Sequence, residues 1–146
     1  MGIFNSINVS ATGLTAERTR MDIISKNIAN ANTTRTSTGS PYRRQMVVFE
    51  EKEGTPFSTY LSKYSSGTFK NQGVKISSIV EDKTPFKKVY EPGHPDADNN
   101  GYVMMPNVDI VTEMVDMITA TRAYEANMTA INSAKSMAMK ALEIGR

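Results

Sequence analysis

The residues best suited to chemistry in this chain fall in one short segment, Asp96-Ala97-Asp98-Asn99-Asn100-Gly101. Oxygen-bearing side chains at relative positions 1, 3 and 5, with Gly at 6, copy the first half of a calcium-binding EF-hand loop. The second half is missing. Position 12, which should supply a bidentate Glu, is Asn107, and Glu91-Pro92-Gly93-His94-Pro95 cannot form the incoming helix. Half a loop offers too few ligands, so the segment reads as a turn. His94 is the sole imidazole and stands between Gly93 and Pro95, where it is expected to be an exposed loop residue. With no Cys and no second His, the nucleophile and base of a hydrolase have no obvious members. Glu50-Glu51 and Glu81-Asp82 are adjacent acids, and neighbours in extended chain point to opposite sides, unlike the facing carboxylates of a glycosidase. No catalytic residue, cofactor or metal is expected.

A second constellation is the asparagine run Asn27-Ile28-Ala29-Asn30-Ala31-Asn32-Thr33. Asn is a poor helix former, and three at this spacing crowd a helix end. Their amides either bond the freed carbonyls of that helix or reach across to a neighbouring chain. Composition does not choose between the two.

At 146 residues the chain has room for one core, or one small core with appendages. It is 39% hydrophobic with no Trp and ten Met, a soft apolar inventory that suits partner surfaces as well as cores. The net charge is +2 and the basic residues are interspersed with acids, so no stripe exists to neutralise a row of phosphates, and nucleic acid is not an expected partner. Without Cys there are no disulfides or thiolate metal sites. The opening residues carry neither a basic n-region nor a long apolar run, so neither a cleaved signal peptide nor lipid insertion is expected.

From residue 4 to 32 apolar positions recur at helical spacing, with Ile7, Leu14, Met21 and Ile28 seven apart and Phe4, Ala11 and Ile24 beside them. Gly13 interrupts this helix at a cost of about 1 kcal/mol relative to Ala. With so thin an apolar stripe and little core to meet, the helix is expected to fray in the free monomer. The polar run 30–41 ends it. Strand-like runs follow at 42–50, 73–80, 87–90 and 102–105. Residues 51–72 have no clear period beyond one amphipathic turn of Phe57, Tyr60, Leu61 and Tyr64, and are expected to form a flexible loop.

After Pro106 the helical period returns. Ile110, Met114, Met117, Thr121, Tyr124, Met128, Ile131, Lys135, Ala138 and Leu142 alternate steps of four and three, a coiled-coil seam that Asn107 or Asp109 can cap. The expected fold is therefore α+β. Helices at 1–32 and 107–146 pair as a coiled coil, and a small β-rich region with its long loop occupies 33–106. The helices either pair within the chain or polymerise it. Their placement at the two ends favours assembly, and polar Thr121 and Lys135 would set the register.

The run Ser25-Lys26-Asn27-Ile28-Ala29-Asn30-Ala31-Asn32-Thr33 resembles the N-terminal signature of bacterial flagellar rod and hook proteins, S-x-N-I/L-A-N-A-x-T. Gly39-Ser40-Pro41-Tyr42-Arg43-Arg44, Val89-Tyr90-Glu91-Pro92, Gly101-Tyr102-Val103, Pro106-Asn107-Val108-Asp109 and Arg122-Ala123-Tyr124-Glu125-Ala126-Asn127 look like the proximal-rod branch of that family. The similarity spans the chain and is weakest over 51–72. It implies a non-enzymatic structural subunit of the bacterial flagellar basal-body rod, exported by the flagellar type III apparatus without a cleaved signal and standing across the cell envelope. Its implied partners are other rod subunits and copies of itself, and its implied work is to transmit torque. The resemblance further implies helices that pair within a subunit and pack against neighbours. The residues expected at subunit contacts are Phe4, Ile7, Leu14, Met21, Ile24, Asn27, Ile28, Asn30, Asn32, Met114, Met117, Tyr124, Met128, Ile131 and Leu142. A cell-wall- or calcium-binding module on the β-rich region is the second reading.

Overall fold

The computed structural model describes residues 3–52 and 73–144, so the loop expected at 51–72 lies outside the described residues except for Glu51 and Lys52. Among the described residues two long helices, α1 (Ile3–Ala29) and α2 (Ile110–Ile144), enclose four strands: β1 (Gln45–Glu51), β2 (Val74–Glu81), β3 (Lys87–Tyr90) and β4 (Tyr102–Met105). The α+β class follows from the two periods in the sequence.

Both helix ends are built by side chains that the sequence supplies. Asp109 caps α2: its Oδ1 accepts from the amides of Val111 (3.0 Å) and Thr112 (3.1 Å). The Thr112 amide, with help from the Lys87 ammonium, holds the Asp109 carboxyl below its usual range. Asn107, the other candidate cap, does different work. Its Oδ1 accepts from Arg44 N at 2.8 Å and its Nδ2 donates to Thr84 Oγ1 at 2.8 Å, tying the approach to β1 to the segment after β2. At the end of α1, Lys26 O accepts twice from Asn30, from its backbone amide at 3.1 Å and from its Nδ2 at 2.9 Å.

The helices pack against each other in antiparallel fashion. Asn27 meets Glu113, Met21 meets Thr121 and Gly13 lies against Asn127, so position numbers fall along α2 as they rise along α1. The expectation that α1 has little to bury into is therefore corrected, because α2 and β1 cover one side of it and bury Ala16, Ile24 and Asn27. Gly13 is part of that packing rather than a flaw. A Cβ there would stand 3.1 Å from the Asn127 amide atoms. At 1.5 Å per residue, α1 is about 40 Å long and α2 about 52 Å. With Gly13 opposite Asn127, the last turns of α2 outrun the start of α1.

The seam differs from the expected one by a single residue in one of its two columns. On α2 the residues that lose solvent run Glu113, Met117, Ala120, Tyr124, Asn127, Ile131, Ala134 and Ala138. Met117, Tyr124, Ile131 and Ala138 are as expected. The other column is Glu113, Ala120, Asn127 and Ala134, whereas Met114, Thr121, Met128 and Lys135 remain exposed. Small side chains at Ala120, Ala134 and Gly13 allow the backbones to approach closely, which a Met column would prevent. A hydrophobicity pattern ranks Met above Ala and so picks the wrong neighbour.

The strands form two separate two-stranded antiparallel sheets, β1–β2 and β3–β4. β1–β2 pairs from Gln45↔Glu81 to Glu51↔Val74, with a register shift between Val48 and Phe49, and Lys52 N donates to Gly73 O at 2.9 Å beyond it. Thr12 of α1 holds this end: its hydroxyl donates to Val9 O (2.7 Å) and accepts from Val74 N (3.1 Å). The β3–β4 hairpin is closed by Asp98, whose Oδ1 accepts from the amides of Asn100 (2.8 Å) and Tyr102 (3.1 Å). Asp96 accepts from Thr34 Oγ1 at 2.8 Å and lies 3.8 Å from Arg35. The segment that mimicked a calcium loop is thus a turn with its carboxylates engaged by protein donors. His94 is half-buried rather than exposed, its Nδ1 accepting from Asp96 N at 3.1 Å.

Candidate subunit interface

One buried polar node fixes the helix pair to the β-rich region. Glu113 is fully buried on the seam face of α2, and Asn27, 1% exposed, faces it from α1. Asn27 uses its whole amide: Nδ2 donates to Glu113 Oε2 (3.0 Å) and Gln45 O (2.8 Å), while Oδ1 accepts from Gln45 N (3.0 Å) and Tyr42 OH (3.0 Å). It thereby serves the peptide group of Gln45 as a neighbouring strand would. The other Glu113 oxygen accepts from Arg44 Nε at 2.6 Å. Arg44 also pairs with Asp116 (3.3 Å) and lies 3.8 Å from Asp82, and Asp116 lies 3.6 Å from Arg20 of α1. A buried carboxylate is tolerable only with both oxygens satisfied and a cation beside it, and this one meets that condition.

Burial raises the Tyr42 phenol above its ordinary value of 10.0, and the charges of Glu113 and Glu81 raise it further. A phenol whose folded-state pKa lies above its unfolded value contributes stability that is complete below the unfolded pKa and is lost as pH climbs through the folded one. Tyr42→Phe should therefore cost about 1 kcal/mol near neutral pH, the net worth of one hydrogen bond, and should lose less than the parent between pH 8 and pH 11. Urea unfolding at the two pH values measures both effects.

The expected contact residues divide into three groups. Ile24 and Asn27 are buried within the chain. Ile7, Leu14, Met21, Ile28, Met117, Tyr124 and Ile131 are half-buried. Phe4, Asn32, Met114, Met128 and Leu142 are exposed, Leu142 because α2 has outrun α1 there. Asn30 is committed locally, its Oδ1 accepting from Thr33 Oγ1 at 3.2 Å.

Met114 belongs to an apolar stripe whose other members fall outside the seam pattern. Val111 (71% exposed), Met114 (56%), Val115 (58%) and Ile118 (56%) follow i, i+3, i+4, i+7 spacing on α2, on the side away from α1. The spacing is visible in the sequence once the seam is no longer assumed to be the only apolar face. The node was hidden, since Arg44 and Glu113 are 69 residues apart.

Comparisons with known proteins agree with this layout. Residues 7–35 match the family described as flagella basal body rod protein, and residues 99–144 match the flagellar basal body rod FlgEFG protein C-terminal family. Over its whole length the chain is 51% identical to the flagellar basal-body rod protein FlgC of Bacillus subtilis, with both chains fully covered. The chain belongs to the FlgC family of flagellar basal-body rod proteins. It is 52% identical to the FlgC of Borreliella burgdorferi over 99% of this chain and 98% of that one, and 39% identical to the FlgC of Salmonella typhimurium over the full length of both. FlgC proteins are structural components of the basal-body rod, so this chain is a rod subunit rather than an enzyme and associates with other rod components. Among the described residues no helix is long and apolar enough to cross a membrane. The two matched segments hold the helix members of the node, Asn27 in one and Glu113 in the other, and Tyr42, Arg44 and Gln45 lie between the segments.

Proposed function

We propose that the α1–α2 pair, packed as a short antiparallel coiled coil, is the lattice unit of the rod and that the outer faces of the pair carry the contacts between subunits. The exposed stripe Val111, Met114, Val115 and Ile118 carries this reading. Large contiguous apolar surface on a soluble chain marks an interaction site. Met128, the overhanging Leu142 and Ile144, and Phe4 extend the sticky surface to the far end of the pair. Stacked and interlocked, such pairs transmit torque by resisting twist, and the buried node keeps each β-rich region at a fixed angle.

Two substitutions one residue apart test the assignment. Ile118→Lys should leave the circular dichroism and urea midpoint of the monomer close to the parent while abolishing rod assembly and motility. Met117→Lys, on the seam, should instead unfold the helix pair. Motile cells carrying Ile118→Lys at normal protein levels would refute the stripe as a contact.

The chain travels through the flagellar type III apparatus without a cleaved signal, in this proposal, and its first helical turns order fully only on joining the rod. The support is local: no described side chain from Phe4 to Ser10 is fully buried, whereas Ala16, Ile24 and Asn27 are. Hydrogen exchange on the free chain should be fast over 4–10 and slow over 16–28, with the first segment becoming protected in assembled rods. Uniform protection of both segments in the monomer would remove ordering on assembly from the scheme.

A further inference from the structure

An open groove of about 760 Å³ lies between the 33–41 loop and the β3–β4 hairpin. Lys88, Tyr102 and Met104 line its floor, and they share one face of the hairpin because Lys88 pairs with Met104 and Tyr90 with Tyr102. The Tyr90 ring meets Tyr102 edge-on at 5.3 Å and braces it. Arg35, Asp96 and Asp98 stand along the walls, and the Thr34–Asp96 hydrogen bond ties the two walls together. The walls are therefore held without an occupant.

The charges in the groove are not equivalent. Arg35 is opposite Asp96, but Lys88 makes no ion pair among the described residues. Asp98 anchors the Tyr102 amide, and along the strand Tyr102 is two residues, roughly 7 Å of backbone, from Met104, which pairs with Lys88. That separation equals the distance between side chains i and i+2 of an extended strand, which project to the same side. An extended segment fits with a carboxylate at one position and a hydrogen-bond donor two residues later, its carbon stems lying on Tyr102 and Met104.

Where the groove sits in the sequence bears on the identity of that segment. The matched family segments end at residue 35 and resume at 99, so the charged Lys88, Asp96 and Asp98 fall between them, while Thr34, Arg35, Asn100, Tyr102 and Met104 of the lining fall within them. The C-terminal match is described for FlgEFG proteins, so the helical pattern is not peculiar to FlgC chains. Helix packing of a shared kind cannot by itself tell one rod protein from another. A feature outside the shared pattern can.

We propose that this groove selects a non-identical neighbouring rod subunit by binding an extended segment of it, with a carboxylate on Lys88 and a donor on Asp98. The inference rests on the rod-lattice reading. The test places a photo-reactive benzoylphenylalanine at Met104 or at Met128 in the full chain and irradiates purified basal bodies. The adduct from position 104 should contain a rod protein of different sequence and should fall at least tenfold when Lys88→Glu is added, while the adducts from position 128 persist. An adduct from 104 with a second copy of this chain or with cell-wall glycan, or none from 104 while 128 still reacts, would overturn the groove alone. Silence at both positions would overturn the groove and the lattice reading together.

Discussion

Arg44→Met should lower the free energy of unfolding by about 3 kcal/mol or more, the range measured when one partner of a buried ion pair is removed. The cost comes from Glu113 rather than from Arg44. The Glu113 side chain is 1% exposed and that of Arg44 21%, so the substitution strands a carboxylate that water cannot reach. Asn27 still donates to one Glu113 oxygen, which sets a floor under the loss but does not supply charge. Adding Glu113→Gln should restore much of the stability, because a neutral amide can still accept from Asn27 and no longer needs a cation. The measurement is a double-mutant cycle by urea denaturation, in which the coupling between Arg44 and Glu113 should exceed about 1.5 kcal/mol. Near-additive losses would show that Asn27, not Arg44, compensates Glu113. Against a total stability of about 5–15 kcal/mol for a domain, Arg44→Met is among the most damaging single changes available that leaves both helices intact.

This node is also where the sequence was hardest to interpret. The strands at 45–51, 74–81, 87–90 and 102–105 lie close to the expected runs, since alternation and turn residues are local signals. The class of the fold was equally plain. The seam was half legible: Met117, Tyr124 and Ile131 were found, but the companion column was shifted by one residue because close helix approach selects Ala and Gly, which carry little hydrophobic weight. Asn27 stands out through its neighbours Asn30 and Asn32, yet the sequence leaves open whether its amide bonds within the chain or to a neighbour. Only the fold brings Tyr42, Arg44, Gln45 and Glu113 around it, and no periodicity encodes contacts between residues so far apart. Burial of a Glu on a seam runs against every propensity unless its cation is known. Stripe residues Val111, Val115 and Ile118 were visible in principle, and attention to one heptad pattern concealed them.

Gly73→Ala, the second large effect, tests the other attachment of the β-rich region. Gly73 has φ +90°, a conformation that L side chains rarely adopt, and a Cβ there would stand 2.1 Å from Thr12 Oγ1. Backbone strain of this kind costs on the order of 1–3 kcal/mol. Displacing the Thr12 hydroxyl also breaks its bond to Val74 N, worth about 1 kcal/mol, so the total should reach about 2–4 kcal/mol. The two contributions separate experimentally. Combined with Thr12→Ala, which removes the clashing oxygen, Gly73→Ala should cost only the strain, and the pair should be less destabilising than the sum of the singles. Equilibrium unfolding gives the energies, and exchange of the Val74 amide reports whether the strand end has left α1. Additive losses would mean that the Thr12 side chain simply rotates aside and that the contact does not position the hairpin. The outcome matters for the assembly because Thr12 and Asn27 grip β1–β2 at opposite ends, 15 residues apart on one helix. Two such points about 22 Å apart fix the angle of the hairpin against α1, whereas either one alone leaves it free to pivot. A chain that keeps its helices but loses the Thr12 contact should therefore still form helix pairs yet hold its β1–β2 hairpin at a variable angle to α1.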